Sequence, residues 1–492
     1  MYTLHKIKSI FYITILFLTL SCTAQTEQPN ILLILCDDLG YADVGFNGSK
    51  DIITPNMDKL AKNGIIFTSA YNAHSFCGPS RAGLITGRYP HEFGTPFNLH
   101  SNSSEKNEDN MGVPLKETYI SNVLQNAGYY TSALGKWHLG AAPKFHPNQR
   151  GFDNFYGFLG GGHNYFPNQY RKTYLQQLQA GKKEIRDYIL PLEHNNKEVK
   201  ETEYITDALS REAVNDIKIA AAKKQPFFMY LAYNAPHVPL EAKEEDKKIF
   251  SSIKDKDRKT YAAMVYAVDR GVGKIVNALK ETKQLENTLI VFFSDNGGNF
   301  DHGASNYPLK GTKGDAWEGG YRTPMFFHWP NKIKSGQQFD HPVSTLDLYP
   351  TFANIAKAKI PEGKKLSGKN IIPYLDKDNP PHKDDLIFCM RYRHGYADVG
   401  ARQGDWKITR MGNEPWRLVN ITNDIGEKKN LSGKYPEKLN KMVSEMKKKT
   451  ENFIEPLWYY SAKDEELWND GRMPQFNETF EVSKLISKPT KN

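Results

Sequence analysis

The stretch Asn30-Ile-Leu-Leu-Ile-Leu-Cys-Asp37-Asp38 decides the fold class. Its unbroken apolar run is typical of a strand that is buried on both faces. Further short apolar runs, separated by helical stretches, occupy residues 31–36, 130–134, 227–232, 289–294 and 325–328. Helices are predicted over 54–64, 259–279 and 344–355. This alternation predicts an α/β fold with a mainly parallel sheet that helices cover on both sides.

Side chains that can bind a metal or an anion, or transfer a proton, directly follow four of these predicted strands. They are Asp37, Asp38, Lys136, His138, His237, Asp295 and Asn296. Because ligands of such sheets gather beyond the carboxyl ends of the strands, we expect these side chains to share one site. Asp37, Asp38, Asp295 and Asn296 offer oxygen ligands, which suit Ca²⁺ or Mg²⁺ and argue against zinc. We predict Ca²⁺, with Mg²⁺ as the alternative.

A second feature is the window Cys77-Gly78-Pro79-Ser80-Arg81, which continues as Ala-Gly-Leu-Ile-Thr-Gly-Arg88. It places a cysteine at the front of a helix, where unpaired backbone N–H groups attract anions. A lone cysteine is more often a small buried apolar residue, which is our interpretation of Cys36 and Cys389. The candidate anion-binding residues at the strand ends favour a reactive role for Cys77. Four cysteines in 492 residues do not make a disulfide scaffold.

The Cys77 window resembles the signature of the type I sulfatases, C-x-P-S-R with a downstream T-G-R, in which the cysteine is oxidised to formylglycine. The resemblance covers nearly the whole mature chain. Its further matches are Asn30 to Tyr41, Gly135-Lys136-Trp137-His138, Ala235-Pro236-His237, Ser294-Asp295-Asn296-Gly-Gly, Gly311-Thr-Lys313-Gly and the C-terminal segment from Leu418 to Leu431. It implies an alkaline-phosphatase-like large domain and a smaller C-terminal α+β domain.

The resemblance also implies roles for these residues. Cys77, oxidised to 3-oxoalanine by a formylglycine-generating enzyme and hydrated, would contact the metal and attack the sulfur of a sulfate ester. Asp295 would act as the base. The residues expected to stabilise the hydrate, release it, hold sulfate or protonate the leaving oxygen are Arg81, Lys136, His138, His237 and Lys313.

A weaker set of residues is predicted to contact the substrate outside the sulfate pocket. His163 and His302 lie in glycine-rich loops, and Arg391, Arg393 and His394 begin a segment of the smaller domain. Arginine there could pair with a uronate or a second sulfate. The alternatives are solvent exposure or loop packing for the two histidines and a basic surface strand for the segment.

The N-terminus predicts export, because Lys6 and Lys8 precede an apolar run over 10–20 that is too short to span a bilayer. Periplasm, outer membrane and medium are the possible destinations. Cleavage before Cys22 would leave a lipidated cysteine and membrane attachment by that anchor alone, whereas ordinary cleavage after Ala24 would leave none. The net charge of +9 comes from lysines interleaved with acids, so nucleic-acid binding is not predicted, whereas a polyanionic carbohydrate suits the excess.

The predicted organisation is a signal peptide over 1–24, or to 21 for a lipoprotein, a catalytic domain over 25–377 and a C-terminal subdomain over 378–492 with an aromatic tail. Residues 152–196 are predicted to form a long loop or insertion rather than a core element. The predicted function is hydrolysis of sulfate esters on an algal polysaccharide or its oligosaccharides. The alternatives are a phosphonate or phosphodiester hydrolase on the same scaffold and a catalytically silent sulfated-glycan-binding protein.

Overall fold

The computed structural model describes residues 28–100, 103, 105, 107–182, 185–376 and 379–480. The predicted signal peptide and Cys22 lie outside these residues. Within them, no helix combines the length and the apolar character that a membrane span requires.

A large sheet forms the centre of the molecule. In the described chain its strands are β1 (Asn30–Asp37), β2 (Ile65–Tyr71), β3 (Tyr130–Lys136), β4 (Asn154–Phe158), β5 (Glu193–His194), β6 (Lys197–Glu198), β7 (Phe227–Pro236), β8 (Thr288–Ser294), β9 (Arg322–His328), β10 (Gln337–Phe339) and β11 (Val343–Ser344). The strand order is β10-β2-β9-β8-β1-β7-β3-β4-β5-β6, with β11 beside β2. The neighbours from β8 to β4 run parallel, whereas β9 is antiparallel to β2 and β8. The predicted mainly parallel α/β sheet is confirmed.

Helices cover both faces of this sheet. The helices of the described chain are α1 (Pro55–Lys62), α2 (Cys77–Thr86), α3 (Ile120–Asn126), α4 (Pro167–Gln179), α5 (Ile205–Lys223), α6 (Glu244–Ile249), α7 (Lys256–Glu281), α8 (Glu318–Tyr321), α9 (Leu348–Ile355), α10 (Pro436–Lys449) and α11 (Ala462–Asn469). Of these, α10 and α11 pack in a separate apolar cluster of the C-terminal part. Alternate residues of β1 enter two different cores: Leu32 and Ile34 pack with α1, α5 and α7, and Leu33 packs with α2, α3 and α9. Every second side chain of a strand faces the opposite side, so a strand covered twice must be apolar throughout.

The expectation for residues 152–196 is wrong in part. This region contains β4, which pairs in parallel with β3, and the helix α4. Its glycines reflect close strand approach rather than a loop alone, because a Cβ on Gly157 would lie 2.1 Å from the carbonyl oxygen of Gly135. Residues 159–166 and the described residues between α4 and β5 connect these elements without a long helix or strand.

The C-terminal part forms a second, antiparallel sheet in the order β12 (Ile387–Arg393), β13 (Tyr396–Gln403), β14 (Trp406–Arg410) and β15 (Arg417–Asn420). The aromatic tail packs against the larger part of the molecule. Trp458 Nε1 donates to the carbonyl oxygen of Phe97 at 3.1 Å, and Phe453 stacks on His91 with ring centroids 4.7 Å apart. The second sheet contacts the segment that follows α2, because Phe388 of β12 stacks on Tyr89 with ring centroids 3.7 Å apart.

A buried histidine joins the segment before β12 to the start of α9. His382 Nε2 lies 2.9 Å from Asp347 Oδ2, and His382 Nδ1 lies 3.1 Å from Asp385 Oδ2. Asp347 also accepts backbone hydrogen bonds from Ser344 and Lys369, each at 2.8 Å. Burial favours the neutral ring, but the two carboxylates, Asp347 above all, raise the pKa of His382 to about 9.

The ion pairs of His382 with Asp347 and Asp385 are expected to make the free energy of unfolding depend on pH. The folded-state pKa of His382, about 9, lies above the unfolded value of about 6.5, so the stabilisation is complete below pH 6.5 and is lost as the pH rises through 9. His382→Gln removes the charge. The difference in free energy of unfolding between wild type and variant should therefore shrink by about 3 kcal/mol across this window. Urea unfolding of both proteins at several pH values measures it, and a difference that does not vary with pH would contradict the assignment.

Candidate active site

The predicted site residues meet at one edge of the main sheet because β8, β1, β7 and β3 are neighbours and run parallel. Asp37 ends β1 and Lys136 ends β3. The residues that follow the strand ends directly or after one residue are Asp38, His138, His237, Asp295 and Asn296. All seven side chains are buried. Asp38 and His138 both have positive φ, 64° and 60°, a conformation that side chains other than glycine rarely adopt and that is concentrated at functional sites.

Each carboxylate at this edge has a cationic partner. Lys136 Nζ lies 2.5 Å from Asp37 Oδ2, Lys313 Nζ lies 2.6 Å from Asp38 Oδ1, and Arg81 Nε lies 2.8 Å from Asp295 Oδ2. All of these side chains are almost completely buried. Leaving one member of such a buried pair alone costs about 3–5 kcal/mol, so the pairs fix each other's positions.

Cys77 lies at the centre of these charges. It is the first residue of α2 and is 2% exposed, and its Sγ lies 3.2 Å from Lys313 Nζ. Burial opposes ionisation of the thiol, but the ammonium groups of Lys136 and Lys313 lower the pKa of Cys77 below its ordinary value. The site therefore favours a negative charge at the position of the Cys77 side chain.

Two histidines present one ring nitrogen each to this pocket. His237 Nδ1 lies 2.8 Å from the carbonyl oxygen of Val238, and His237 Nε2 lies 3.7 Å from Asp38 Oδ2. His138 Nε2 lies 3.0 Å from the carbonyl oxygen of Leu99, and His138 Nδ1 is buried without a hydrogen-bond partner. A nitrogen beside a carbonyl carries the proton, so the other nitrogen is available to a ligand.

Burial and charge push the pKa values of the two rings apart. Burial favours the neutral form of both. The carboxylates of Asp37 and Asp38 nevertheless raise the pKa of His237 above its ordinary value. At His138, burial and the nearby ammonium group of Lys136 lower the pKa to about 3. The surroundings therefore favour protonation of His237 and disfavour protonation of His138.

The oxygen-rich part of the pocket fits a hard cation. The ligand atoms of Asp37, Asp38, Cys77 and His237 all lie within 4.8 Å of one another. Asp37 Oδ1 and Asn296 Oδ1 are buried and have no hydrogen-bond partner, although buried oxygens normally have one. The predicted ligand Asp295 stands outside this group of four, because Arg81 binds its Oδ2 while Oδ1 accepts from the Asp38 amide at 3.4 Å. Carboxylate and amide oxygens are the ligands that Ca²⁺ and Mg²⁺ prefer.

Lys313 reaches the pocket from a loop that backbone hydrogen bonds hold on two sides. The Lys313 amide donates to the carbonyl oxygen of Gly298 at 3.1 Å, and the Gly314 amide donates to that of Ser75 at 3.0 Å. Ser75 lies two residues before Cys77. The loop therefore positions the ammonium group of Lys313 directly relative to the start of α2.

A buried charge cluster braces the far end of this loop and includes a residue that the sequence analysis missed. Lys407 Nζ, on β14, lies 2.9 Å from both Glu318 Oε1 and Glu427 Oε1, and all three side chains are completely buried. The Glu318 amide donates to Glu427 Oε2 at 2.7 Å. The sequence does carry a signal for this cluster. Lys407 lies within the short strand segment Trp406-Lys-Ile-Thr-Arg, and a lysine buried in a strand is normally paired with an acidic side chain.

The structure contradicts the predicted substrate contact of His163. This side chain is completely buried, and its two ring nitrogens lie 2.7 and 2.8 Å from the carbonyl oxygens of Asn164 and Leu190. Its ring packs against Phe158 and Tyr170. His163 therefore has a structural role, joining two segments of the region that follows β4.

The other weaker candidates occupy different positions. His302 is partly buried, and the charges of Asp38, His237 and Lys313 influence its pKa, which burial lowers. It therefore lies near the pocket. His394 is exposed and lies 3.4 Å from Asp464 Oδ1 in the C-terminal part. No contact of His394 with the residues of the pocket is found in the described chain.

The two arginines of β12 already have partners. Arg391 NH1 donates to the carbonyl oxygen of Gly314 at 2.8 Å, and its guanidinium carbon lies 4.2 Å from the ring centroid of Phe76. Arg393 Nε lies 2.7 Å from the buried Asp398. Arg391 thus connects the second sheet with the Lys313 loop and with the residue before Cys77, which is a different role from the predicted contact with sugar.

Comparisons with known proteins agree with this geometry. Residues 29–358 match the family model for sulfatases, and residues 313–455 match that for the C-terminal part of N-sulphoglucosamine sulphohydrolase. An uncharacterised sulfatase of Escherichia coli, YdeN, is 33% identical over 75% of this chain and 70% of its own. The mouse N-acetylgalactosamine-6-sulfatase is 33% identical over 79% of this chain and 73% of its own.

A solved structure is more similar. The crystal structure of Ps i-CgsB in complex with k-i-k-neocarrahexaose superposes with a TM-score of 0.90 and 56% identity, and the match covers 92% of this chain and all of the other. A match at this level includes the main sheet, its site edge and the C-terminal sheet.

Proposed function

The chain belongs to the sulfatase family and hydrolyses sulfate esters, and from this premise we propose that its substrate is a carrageenan-type sulfated galactan or an oligosaccharide of it. The observation that carries this proposal is the 56% identity to Ps i-CgsB, whose structure holds a carrageenan hexasaccharide. The closely similar fold over 92% of this chain supports a similar cleft around the pocket.

Sulfatases generally use formylglycine and a divalent metal. We propose that Cys77 is converted to formylglycine by a formylglycine-generating enzyme, and that Asp37, Asp38, Asp295 and Asn296 hold Ca²⁺ beside it. Together these groups would supply a nucleophilic oxygen and a cation for the sulfate. The unpartnered buried oxygens of Asp37 and Asn296 support the metal, and the placement of Cys77 among cations supports the modification.

The proposed tasks of the other residues follow from their contacts. Lys313 and Lys136 place ammonium groups beside Cys77, where they would neutralise sulfate oxygens and the charge that develops in the transition state. His237, fixed by Val238, directs Nε2 into the pocket and can donate its proton to the leaving oxygen. His138, held by the carbonyl oxygen of Leu99, leaves Nδ1 free to accept a hydrogen bond from a ligand. Arg81 orients Asp295.

The function is tested with the matured protein and a panel of defined substrates. We expect sulfate release, measured by ion chromatography, from carrageenan oligosaccharides at a far higher kcat/KM than from sulfated fucose or glycosaminoglycan oligosaccharides. Mass spectrometry of the product locates the sulfate that is lost. A preference for either of the other glycans, or for a phosphodiester, would contradict the proposal.

We further propose that residues 25–377 form the catalytic domain and 378–492 a C-terminal subdomain, and that the protein is exported. The separate antiparallel sheet from β12 to β15 supports the boundary. The basic and then apolar N-terminal sequence supports export, with or without a lipid on Cys22.

Arg391 is expected to affect kcat by holding Lys313 in position rather than by binding the sugar. Arg391→Ala removes the hydrogen bond to Gly314 and the contact with Phe76, so the Lys313 loop loses a support beside Cys77. We expect kcat to fall about 10-fold on a generic aryl sulfate and equally on the oligosaccharide, because a transition-state contact is weakened on every ester. Steady-state kinetics on both substrates measure the two losses.

Arg393→Ala is the matched control, since its partner Asp398 belongs to the same small sheet. It should change kcat on aryl sulfate by less than Arg391→Ala does. Arg391→Lys keeps a donor and should recover part of the loss. A loss for Arg391→Ala that is confined to the oligosaccharide would instead show that Arg391 binds sugar.

A further inference from the structure

A segment between α4 and β5 lies at the wall of the sulfate pocket and is held there by buried groups. The Asn164 amide donates to the carbonyl oxygen of Tyr188 at 3.0 Å. His163 Nε2 lies 2.8 Å from the carbonyl oxygen of Leu190. His163 is completely buried, so these contacts tie the segment around Tyr188 to the interior of the main domain.

The ring of Tyr188 lies next to the residues that surround Cys77. Its centroid is 6.4 Å from that of His237. Two glycines allow this approach, because a Cβ on Gly162 would lie 2.4 Å from Tyr188 Cζ, and one on Gly161 would lie 2.9 Å from His138 Nε2. Tyr188 therefore lies beside the two histidines of the site, and its side chain is only partly buried.

Arg186 extends this wall outward. Its guanidinium carbon lies 3.9 Å from the ring centroid of Tyr188, a cation–π contact that favours this orientation of the side chain. The side chain is exposed, and no carboxylate forms an ion pair with it among the residues that the structure describes. The cations deep in the pocket differ in this respect, because Lys136 and Lys313 are each paired with an aspartate.

We propose that Arg186 and Tyr188 form a second anion subsite, which binds a sulfate on a sugar adjacent to the one that loses its sulfate. The planar guanidinium group suits the oxygens of a sulfate ester, and the ring of Tyr188 offers an apolar surface to the sugar between the two sulfates. This inference rests on the proposed function, since it requires an oligosaccharide that carries more than one sulfate. It assigns selectivity for multiply sulfated substrate to part of the region 152–196, in which the sequence analysis had named only His163 as a substrate contact.

The test compares three substrates: two galactan oligosaccharides of equal length, one with and one without a second sulfate on the neighbouring sugar, and an aryl sulfate. Arg186→Ala should lower kcat/KM on the doubly sulfated oligosaccharide by about 10-fold to 100-fold, the range expected for a charge-assisted hydrogen bond. Arg186→Lys should restore part of this loss. Tyr188→Ala should cause a similar loss, and adding it to Arg186→Ala should cost little more, because the two side chains act as one unit.

Arg171→Ala is the matched control, since Arg171 is an arginine of α4 that is paired with Glu198. It should change none of the three rates. Equal losses for Arg186→Ala on all three substrates, or no loss on the doubly sulfated one, would overturn the subsite. Failure of the wild type to release sulfate from either oligosaccharide while it hydrolyses aryl sulfate would instead overturn the proposed substrate, so the two failures are distinguishable.

Discussion

Cys77→Ala is expected to lower kcat on every sulfate ester by roughly 10³-fold or more, because it removes the proposed nucleophile itself. Cys77→Ser should lose activity to a similar extent. The Cys77 side chain lies 3.2 Å from Lys313 Nζ, and no other described cysteine has such surroundings. The loss should be the same for oligosaccharide and aryl sulfate, since the reacting group is common to both. Single-turnover and steady-state rates on the two substrates measure it.

Mass spectrometry of the Cys77 peptide separates a modified cysteine from an unmodified one. We expect the active protein to carry the mass of an aldehyde in place of the thiol, and protein made without a maturing enzyme to be folded but weakly active. Cys389→Ala is the control, because Cys389 is a completely buried thiol of β12 and should keep its activity. A fully active preparation with an unmodified Cys77 thiol would contradict the assignment.

The central part of the fold could be predicted because burial on both faces leaves a signal in the sequence. The strands β1, β3, β7, β8 and β9 are buried at every residue and carry short apolar runs, and each was predicted with its end at a candidate site residue or in the core. The short strands β5, β6 and β11 have two residues each, too few to show any periodicity. In β4, Gly157 lies against Gly135 of β3. In the sequence alone, the glycine that permits this close packing indicates a loop.

The site, like the fold, could be predicted only where the sequence carries a signal. Residues that follow strand ends were predicted to meet because the topology of a parallel sheet places them at one edge. The interpretations of His163 and Arg391 were wrong or incomplete because their partners are backbone carbonyl groups of Leu190 and Gly314, which belong to distant segments. A backbone carbonyl is present at every residue, so no residue type in the sequence marks such a partner.

The proposed metal site should respond strongly to the loss of one charged ligand. Asp38→Asn keeps the shape of the side chain, and asparagine tolerates the positive φ of 64° at this position, so the backbone should remain in place. The variant lacks one negative charge beside Asp37 and Lys313. We expect its metal content to fall well below one ion per chain and kcat to fall about 10²-fold or more. Asp295→Asn should give the same two losses, because Asp295 is one of the four proposed ligands.

Metal analysis and thermal unfolding provide readouts that do not depend on turnover. Chelation of the wild type should abolish activity, Ca²⁺ should restore it better than Mg²⁺, and added Ca²⁺ should raise Tm because it binds only the folded chain. Asp43→Asn is the control, since Asp43 is equally buried but pairs with Arg258 at 2.6 Å. It should lose stability and keep its metal. Stoichiometric zinc in the wild type, or unchanged metal content in Asp38→Asn and Asp295→Asn, would show that these oxygens do not form the site, because a hard cation held by carboxylates cannot be indifferent to their charge.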